Sequence, residues 1–402
     1  MTKEQKTNVA ILGGAVSGLA AAEKFNELGI VDEIRVFERQ EYDEKRVDCG
    51  EAINDSTLIP IKKTPENGFL NNVEGFQLRV YSGMDRNKKE RPLGVSDLNC
   101  SSGYICNRDT VEHQWAESLS EKGVVFETGE SITADEYNEI VDEYEYVIDA
   151  TGQPSLTHKV TDSVEEYTGD MVALNATVEG DFSEYTDWPR IFFEGYVGYA
   201  WSFPKSETEA NVGIGWAGDK RPDNYMDALE NAAHRNGFPM PDREAVNIYT
   251  IPRGPSLDPR RTHIEQNNVF LVGDAAGIAN RYQGEGICQG IRSAYLLGDL
   301  IADGRADEYP DRLFNRMKSE YRLARLMRGA WVEHKDPYLL AAIAESLEGL
   351  TIDDITRQPK RVINRIVRNP TTAAQLVLDT GMIKRLIDAY TDSWEYNSME
   401  SV

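Results

Sequence analysis

The chain has 402 residues, 68 acidic and 43 basic, for a net charge of −25. That length suffices for two or three domains with a large core, and the charge argues against a nucleic-acid partner and against general attraction to anionic lipid. Of the bases 16 are Lys and 27 Arg, a balance that suits a high-salt cytoplasm as well as an acidic mesophilic one. Cys49, Cys100, Cys106 and Cys288 show no metal-ligand spacing, which fits a reducing cytoplasm. No run of about 18 uncharged apolar residues occurs, so no membrane span is expected.

The first elements form a unit from Asn8 to Glu38: an apolar strand at Val9 to Leu12, a glycine turn, a helix with Leu19, Ala22, Phe25 and Leu28 at helical spacing, and a second strand at Ile34 to Phe37. The turn is Gly13-Gly14-Ala15-Val16-Ser17-Gly18. Gly13 allows the tight turn and Gly18 close helix packing, while the helix-start amides point at a pyrophosphate. Glu38 ends the second strand, where its carboxylate can accept from ribose hydroxyls. Ala15 replaces the middle glycine of the usual fingerprint and loosens the phosphate contact. This βαβ unit predicts a dinucleotide site and leaves NAD and FAD open.

Residues 41–55 read as a charged loop whose Cys49-Gly50-Glu51 can approach a flavin ring or substrate. Residues 76–83 and 91–98 read as strands. Asn107 is expected to cap a helix carrying Val111, Trp115 and Leu119 on one face. Arg108, in its first turn, opposes the helix dipole and calls for a nearby anion. A strand at Tyr146 to Ala150 runs into Thr151-Gly152, small residues that let a ligand approach the backbone. Residues 172–178, 190–195, 199–204 and 210–216 predict an antiparallel sheet. Gly213 to Gly218 matches the dinucleotide fingerprint in form only, since charged turn residues follow and no acid stands at the right distance. Val269 to Asp274 is an apolar strand ending in an acid, and Gly284-Glu285-Gly286-Ile287 opens a helix, making a second anion-facing element. The last ninety residues read as helices punctuated by Pro310, Pro337, Pro359 and Pro370.

The βαβ unit, Asp149-Ala150-Thr151-Gly152 and the Gly273-Asp274 strand with its glycine-opened helix resemble the three FAD-contacting segments of p-hydroxybenzoate-hydroxylase-like flavoproteins. Cys49-Gly50-Glu51 and Tyr199-Ala200-Trp201-Ser202-Phe203-Pro204 resemble, more specifically, the geranylgeranyl reductase family, whose hallmark is P-x-x-Y-x-W-x-F-P. Tyr196 stands where the hallmark has its first proline, and Arg281 where a proline is expected after G-D-A-A-G. The expected fold is α/β (α+β overall). A Rossmann-like FAD domain comprises 1–75, 101–155 and 256–310, an inserted antiparallel-sheet substrate domain comprises 76–100 and 156–255, and helices occupy 311–402.

The resemblance implies reduction of isolated C=C bonds in polyprenyl chains, hydride passing from reduced flavin to one carbon and a proton to the other. The cofactor contacts it implies are Gly13, Gly14, Ala15, Gly18, Glu38, Cys49, Gly50, Arg108, Gly152, Asp274, Gly284, Glu285, Gly286 and Ile287, with Asp274 on the ribityl chain. Cys49, Tyr199 and Trp201 are its catalytic candidates; Tyr196, Phe203 and Arg281 face the substrate. Tyr199, Trp201 and Phe203 alternate on a strand and so share a face that can line a tunnel. The proton donor is open between Cys49 and Tyr199, and the electron donor between NAD(P)H and ferredoxin. Saturation of an isoprenoid-quinone tail, flavin monooxygenation, or a non-catalytic role as electron carrier or lipid binder are the alternatives. Arg357 to Arg368 holds five bases and no acid, with Val362, Ile363, Ile366 and Val367 toward one side and Arg361, Arg365 and Arg368 toward another. That pattern belongs either to a peripheral membrane contact or to a helix packed with its arginines on surplus acids.

Overall fold

The computed structural model describes residues 8–47, 49–82, 91–161, 171–194, 198–217, 222–251, 262–264, 268–280, 285–334 and 337–378, with 381, 383, 384 and 387. Tyr196, Arg281 and Gly284 lie outside the described residues.

The chain begins β1 (Asn8–Leu12), α1 (Val16–Leu28), β2 (Glu33–Glu38), β3 (Ala52–Ile53), β4 (Phe69–Val80) and β5 (Gly94–Cys106). It continues α2 (Arg108–Glu121), β6 (Val125–Thr128), α3 (Ala134–Glu143), β7 (Tyr146–Asp149), α4 (Leu156–Val160), β8 (Met171–Glu179), β9 (Arg190–Phe193), β10 (Gly198–Pro204) and β11 (Glu209–Ala217). Then come α5 (Tyr225–Asn236), β12 (Asn247–Ile251), β13 (His263–Ile264), β14 (Val269–Leu271), α6 (Ile287–Ala302), α7 (Tyr309–His334), α8 (Pro337–Ser346), α9 (Ile352–Arg357), α10 (Pro359–Val367) and α11 (Pro370–Leu378).

Two sheets organise these elements. The first, in the order β13-β14-β7-β1-β2-β6, is parallel except for β13. Its central strand β1 has Val9, Ala10, Ile11 and Leu12 fully buried, because helices cover both faces. On one side Leu19, Ala22, Phe25, Trp115, Ile291 and Leu297 form the largest core; on the other Tyr137 and Ile140 of α3 cover Ala10 and Leu12. Gly13, at φ +96°, turns the chain beside β7, where a Cβ would stand 2.6 Å from the Ala150 carbonyl. At Gly18 a Cβ would meet the Gly13 carbonyl at 1.8 Å, so only glycine lets α1 leave the strand this closely.

The second sheet runs β12-β8-β11-β10-β9-β4-β5-β3, antiparallel except where β4 meets β9. Residues 52–53, 69–75 and 101–106, which the sequence assigns to the FAD-binding domain, pair in this sheet. They hide in the sequence because β3 is only two residues long and Gly75 interrupts the apolar alternation of β4. Helix α5 covers one face through Leu229, Ala232 and Ala233, and α8 to α10 pack on Leu78, Val80, Leu98 and Phe193. The prolines start helices, as expected: Pro337, Pro359 and Pro370 are first residues of α8, α10 and α11, and Pro310 is the second of α7.

Candidate functional site

A cavity of about 1170 Å³ runs from the C-terminal ends of β1 and β2 to the second sheet. One end is built by the glycine turn. No side chain caps α1, and Ala15, Val16 and Ser17 at its start line the cavity. Gly13, Glu38, Gly152 and Arg108 line it too, whereas Gly14 and Gly18 serve packing behind it. Glu38 is already engaged within the chain. Its Oε2 accepts from the Gly14 amide at 2.9 Å and from Lys45 Nζ at 2.9 Å, and its Oε1 from the Gln40 amide at 3.1 Å. Lys45 is buried, lies 3.2 Å from Glu112 and donates to the Gly14 carbonyl, which Tyr42 also holds at 2.7 Å. The segment read as a charged loop folds back to brace the turn, and its charged run includes a buried lysine.

Arg108 is paired inside the chain as well. It bonds Glu112 one turn along α2, and burial, which would raise that carboxyl, is outweighed by Arg108 and Lys45, which hold it below the usual carboxylate range. The anion that the arginine called for is thus partly Glu112, fully buried and not recognised from the sequence. Asn107 does not cap α2; its Oδ1 accepts from Lys205 Nζ at 2.7 Å, a longer-range contact that outcompetes the local one.

At the other end Tyr199, Trp201 and Phe203 lie side by side along β10, with ring centroids 6.0 Å and 6.1 Å apart, and all three line the cavity. Gly213 is the residue opposite Trp201 on β11, where a Cβ would stand 2.2 Å from the indole. The glycine that imitates a nucleotide fingerprint makes room for tryptophan. Trp201 Nε1 donates to Asn211 Oδ1 at 2.9 Å, and Asn211 Nδ2 donates to Glu51 Oε2 at 3.0 Å and to the Cys49 carbonyl at 3.2 Å. Glu51, at φ +63°, also pairs with buried Lys205 at 2.7 Å. This network locks Cys49-Gly50-Glu51 over the aromatic row: Gly50 faces the Phe203 and Trp201 rings, and Cys49 and Gly50 line the cavity between the two ends. Phe76, Leu78, Leu98, Ile191, Phe193, Ile352 and Ile355 extend the wall as an apolar arm.

The third wall is the β14–α6 segment. Asp274, Glu285, Gly286 and Ile287 line the cavity, and α6 starts without a side-chain cap. Asp274 Oδ1 is buried without a hydrogen-bond partner, and burial pushes this carboxyl up to about 6 against the pull of Arg108. Two uncapped helix starts and an orphaned carboxylate oxygen thus face one elongated space. These are the donors and the acceptor that a pyrophosphate joined to a polyhydroxyl chain requires, so the residues fit FAD.

Of the basic stretch, Arg357 pairs with Asp353 and Arg361 with Asp354 at 2.6 Å. Val362 is buried against α8 and Val367 is 61% exposed, so the apolar residues do not form one outward face. Arg365 and Arg368 remain exposed. No described helix is long and apolar enough to cross a membrane.

Residues 190–250 match the geranylgeranyl reductase catalytic domain. The chain is 27% identical over 320 residues to the digeranylgeranylglycerophospholipid reductase of Methanothrix thermoacetophila, covering 74% of this chain and 78% of that one. It is 25% identical over 389 residues to the enzyme of that name from Thermoplasma acidophilum, covering 87% and 92%. Among solved structures, a geranylgeranyl bacteriochlorophyll reductase-like protein of Thermoplasma acidophilum superposes with a TM-score of 0.67 at 19% identity, over 92% of this chain and 99% of its own. The halogenase PltM, solved with FAD, superposes with a TM-score of 0.61 at 11% identity, over 85% and 79%.

Proposed function

We propose that this chain, which belongs to the geranylgeranyl reductase family, is an FAD-dependent reductase that saturates isolated double bonds in the polyprenyl chains of membrane lipids. The carrying observation is the continuous cavity that joins a dinucleotide-binding turn to an aromatic and aliphatic arm, with Cys49-Gly50-Glu51 at the junction. Bound flavin supplies the hydride.

The chain's own residues bind, orient and exclude water. The amides at the starts of α1 and α6 would hold the pyrophosphate and the flavin's polar edge, and Asp274 Oδ1 would accept from a ribityl hydroxyl. Glu38, held by Gly14 and Lys45, retains acceptor capacity for ribose. Tyr199, Trp201 and Phe203 hold an alkene against the junction and present their ring faces to positive charge developing on carbon. The apolar arm takes the rest of the isoprenoid chain and keeps the reacting carbons dry. We assign residues 1–75, 101–155 and 256–310 to cofactor binding and 76–100 with 156–255 to substrate, with residues 52–53, 69–75 and 101–106 contributing to the substrate sheet as well. We also propose that Arg365 and Arg368 provide a weak contact with anionic lipid.

The test is mass spectrometry of polyprenyl lipids incubated anaerobically with dithionite-reduced, FAD-loaded protein. A gain of two hydrogens per reduced bond is expected. Unchanged lipid mass with a stably reduced flavin would favour an electron carrier, and oxygen-dependent addition of an oxygen atom would favour a monooxygenase.

A further inference from the structure

Three asparagines on the second sheet hold the segment between β2 and β3, and two of them, Asn175 and Asn247, have no part in the cofactor or substrate assignments. They share the face that carries Trp201 and Phe203: Phe203 pairs with Asn211, Trp201 with Gly213, Gly213 with Asn175, and Asn175 with Asn247. Asn247 Oδ1 accepts from Arg46 Nη2 at 3.1 Å. Asn175 Nδ2 and Asn211 Nδ2, the latter at 3.2 Å, both donate to the Cys49 carbonyl. Asn175 is 4% exposed, and its Oδ1 is buried without a hydrogen-bond partner. An amide buried with one end unsatisfied costs stability, so packing alone gives no reason for asparagine here, whereas the bond to Cys49 does.

These bonds fix the direction of the peptide they hold. The Cys49–Gly50 peptide is trans, so its N–H runs antiparallel to its carbonyl. With the carbonyl drawn to β8 and β11, the Gly50 N–H is turned away from that sheet. Among the described residues it donates to no acceptor, and Gly50 lines the cavity between the nucleotide turn and the aromatic row. Glu51 continues the turn at φ +63°, in the left-handed region that a side chain disfavours, and its own N–H donates to Cys49 Sγ at 3.2 Å. Two donors on one carbonyl also polarise the peptide and strengthen the N–H on its far side.

We propose that Asn175 and Asn211 are positioning residues that aim the Gly50 N–H into the cavity as a hydrogen-bond donor to the ring of bound flavin. This rests on the FAD assignment and adds to it the donor atom, its direction and the two side chains that hold it. A flavin ring gains electron density at its nitrogen and oxygen edge on reduction, so a donor fixed there favours the reduced form. Neither asparagine lines the cavity, so each acts through the peptide and not by touching the cofactor.

The test is the two-electron potential of the flavin in the FAD-loaded protein, measured by dye equilibration with no lipid present. Gly50→Ala keeps the N–H, and its Cβ would meet the Phe203 ring at 3.4 Å, an ordinary contact, so its potential should match wild type. Gly50→Pro lacks the N–H and should favour the oxidised form about tenfold, a fall of roughly 30 mV. Asn175→Leu should shift the balance the same way by about threefold without a lower melting temperature, because the orphaned Oδ1 goes with the amide. A wild-type potential in flavin-loaded Gly50→Pro overturns the donor, and so does an equal fall in Gly50→Ala. A wild-type potential in Asn175→Leu overturns the positioning; if Gly50→Pro takes up no flavin, Asn175→Leu decides both. If the potentials shift as stated while the wild type saturates no polyprenyl chain, the reductase reading falls and the donor stands.

Discussion

Replacing Asp274 with asparagine should make the flavin-free protein more stable and the flavin less tightly held. Burial raises this carboxyl from its ordinary 3.8 to about 6, so the folded state favours the protonated form. The stability that this group contributes is full below about pH 4, and it is lost as pH rises through about 6. A displacement of about two pH units corresponds to ~3 kcal/mol, the cost that ionised Asp274 imposes on the empty site at neutral pH. The asparagine side chain carries no charge, so chemical denaturation of flavin-free Asp274→Asn should show stability up to ~3 kcal/mol above wild type at neutral pH, and no advantage near pH 4. On the proposed assignment FAD would reverse the preference, because a ribityl hydroxyl donating to Oδ1 favours the ionised form. Wild-type FAD affinity should therefore rise between about pH 4 and 6, and the variant should bind FAD roughly tenfold to a hundredfold more weakly at neutral pH, the loss of a hydrogen bond to a charged acceptor. Parallel stability curves for the two proteins, or a less stable variant at neutral pH, would refute the reasoning.

Gly213→Ala should destabilise the fold by about 1–3 kcal/mol in thermal unfolding and shift Trp201 fluorescence, since its methyl would stand 2.2 Å from the indole and 2.5 Å from the Leu174 carbonyl; an unchanged emission spectrum would contradict the packing. Wild type should bind FAD in preference to FMN by calorimetry, and Glu38→Lys, which sets a second cation beside Lys45 and removes the acceptor of the Gly14 amide, should abolish that preference. Equal wild-type affinities for the two flavins would end the adenosine-site assignment. Changing Arg365 and Arg368 together to Gln should reduce co-sedimentation with anionic liposomes while sparing turnover on detergent-solubilised lipid; undiminished co-sedimentation would leave the packed-helix alternative.

What the sequence reveals follows the range of the forces involved. The β1–α1–β2 unit, the α2 face of Val111, Trp115 and Leu119, and the shared face of Tyr199, Trp201 and Phe203 are set by local period, and each is visible from one segment. The brace of Tyr42 and Lys45 beneath the turn, the Glu51–Lys205–Asn107 link and the Gln289–Glu320 bond are long-range polar contacts, made by residue types that ordinarily face solvent. One signal was present for a single member. An arginine in the first turn of α2 needs a carboxylate, and Glu112 stands four residues on, the spacing at which helix side chains meet. Gly213 shows the converse, a motif fully legible in form whose cause lies in a neighbouring strand.

The basic stretch at α10 illustrates how tertiary pairing divides a sequence pattern. Five bases without an acid read as one charged face, but Asp353 and Asp354 of α9 reach forward and take Arg357 and Arg361. The capping box of Thr351 with Asp354 fixes α9 so that Ile352 and Ile355 line the apolar arm of the cavity on one side while Asp354 holds α10 on the other. Lys360, Arg365, Arg368 and the exposed Val367 are left for the surface, each basic residue worth about 1 kcal/mol beside anionic lipid. A net charge of −25 opposes that attraction outside a Debye length of roughly 8 Å, and salt shortens the reach of both terms. The contact proposed through α10 would therefore be weak and local, and α10 follows α9, whose Ile352 and Ile355 line the apolar arm of the cavity.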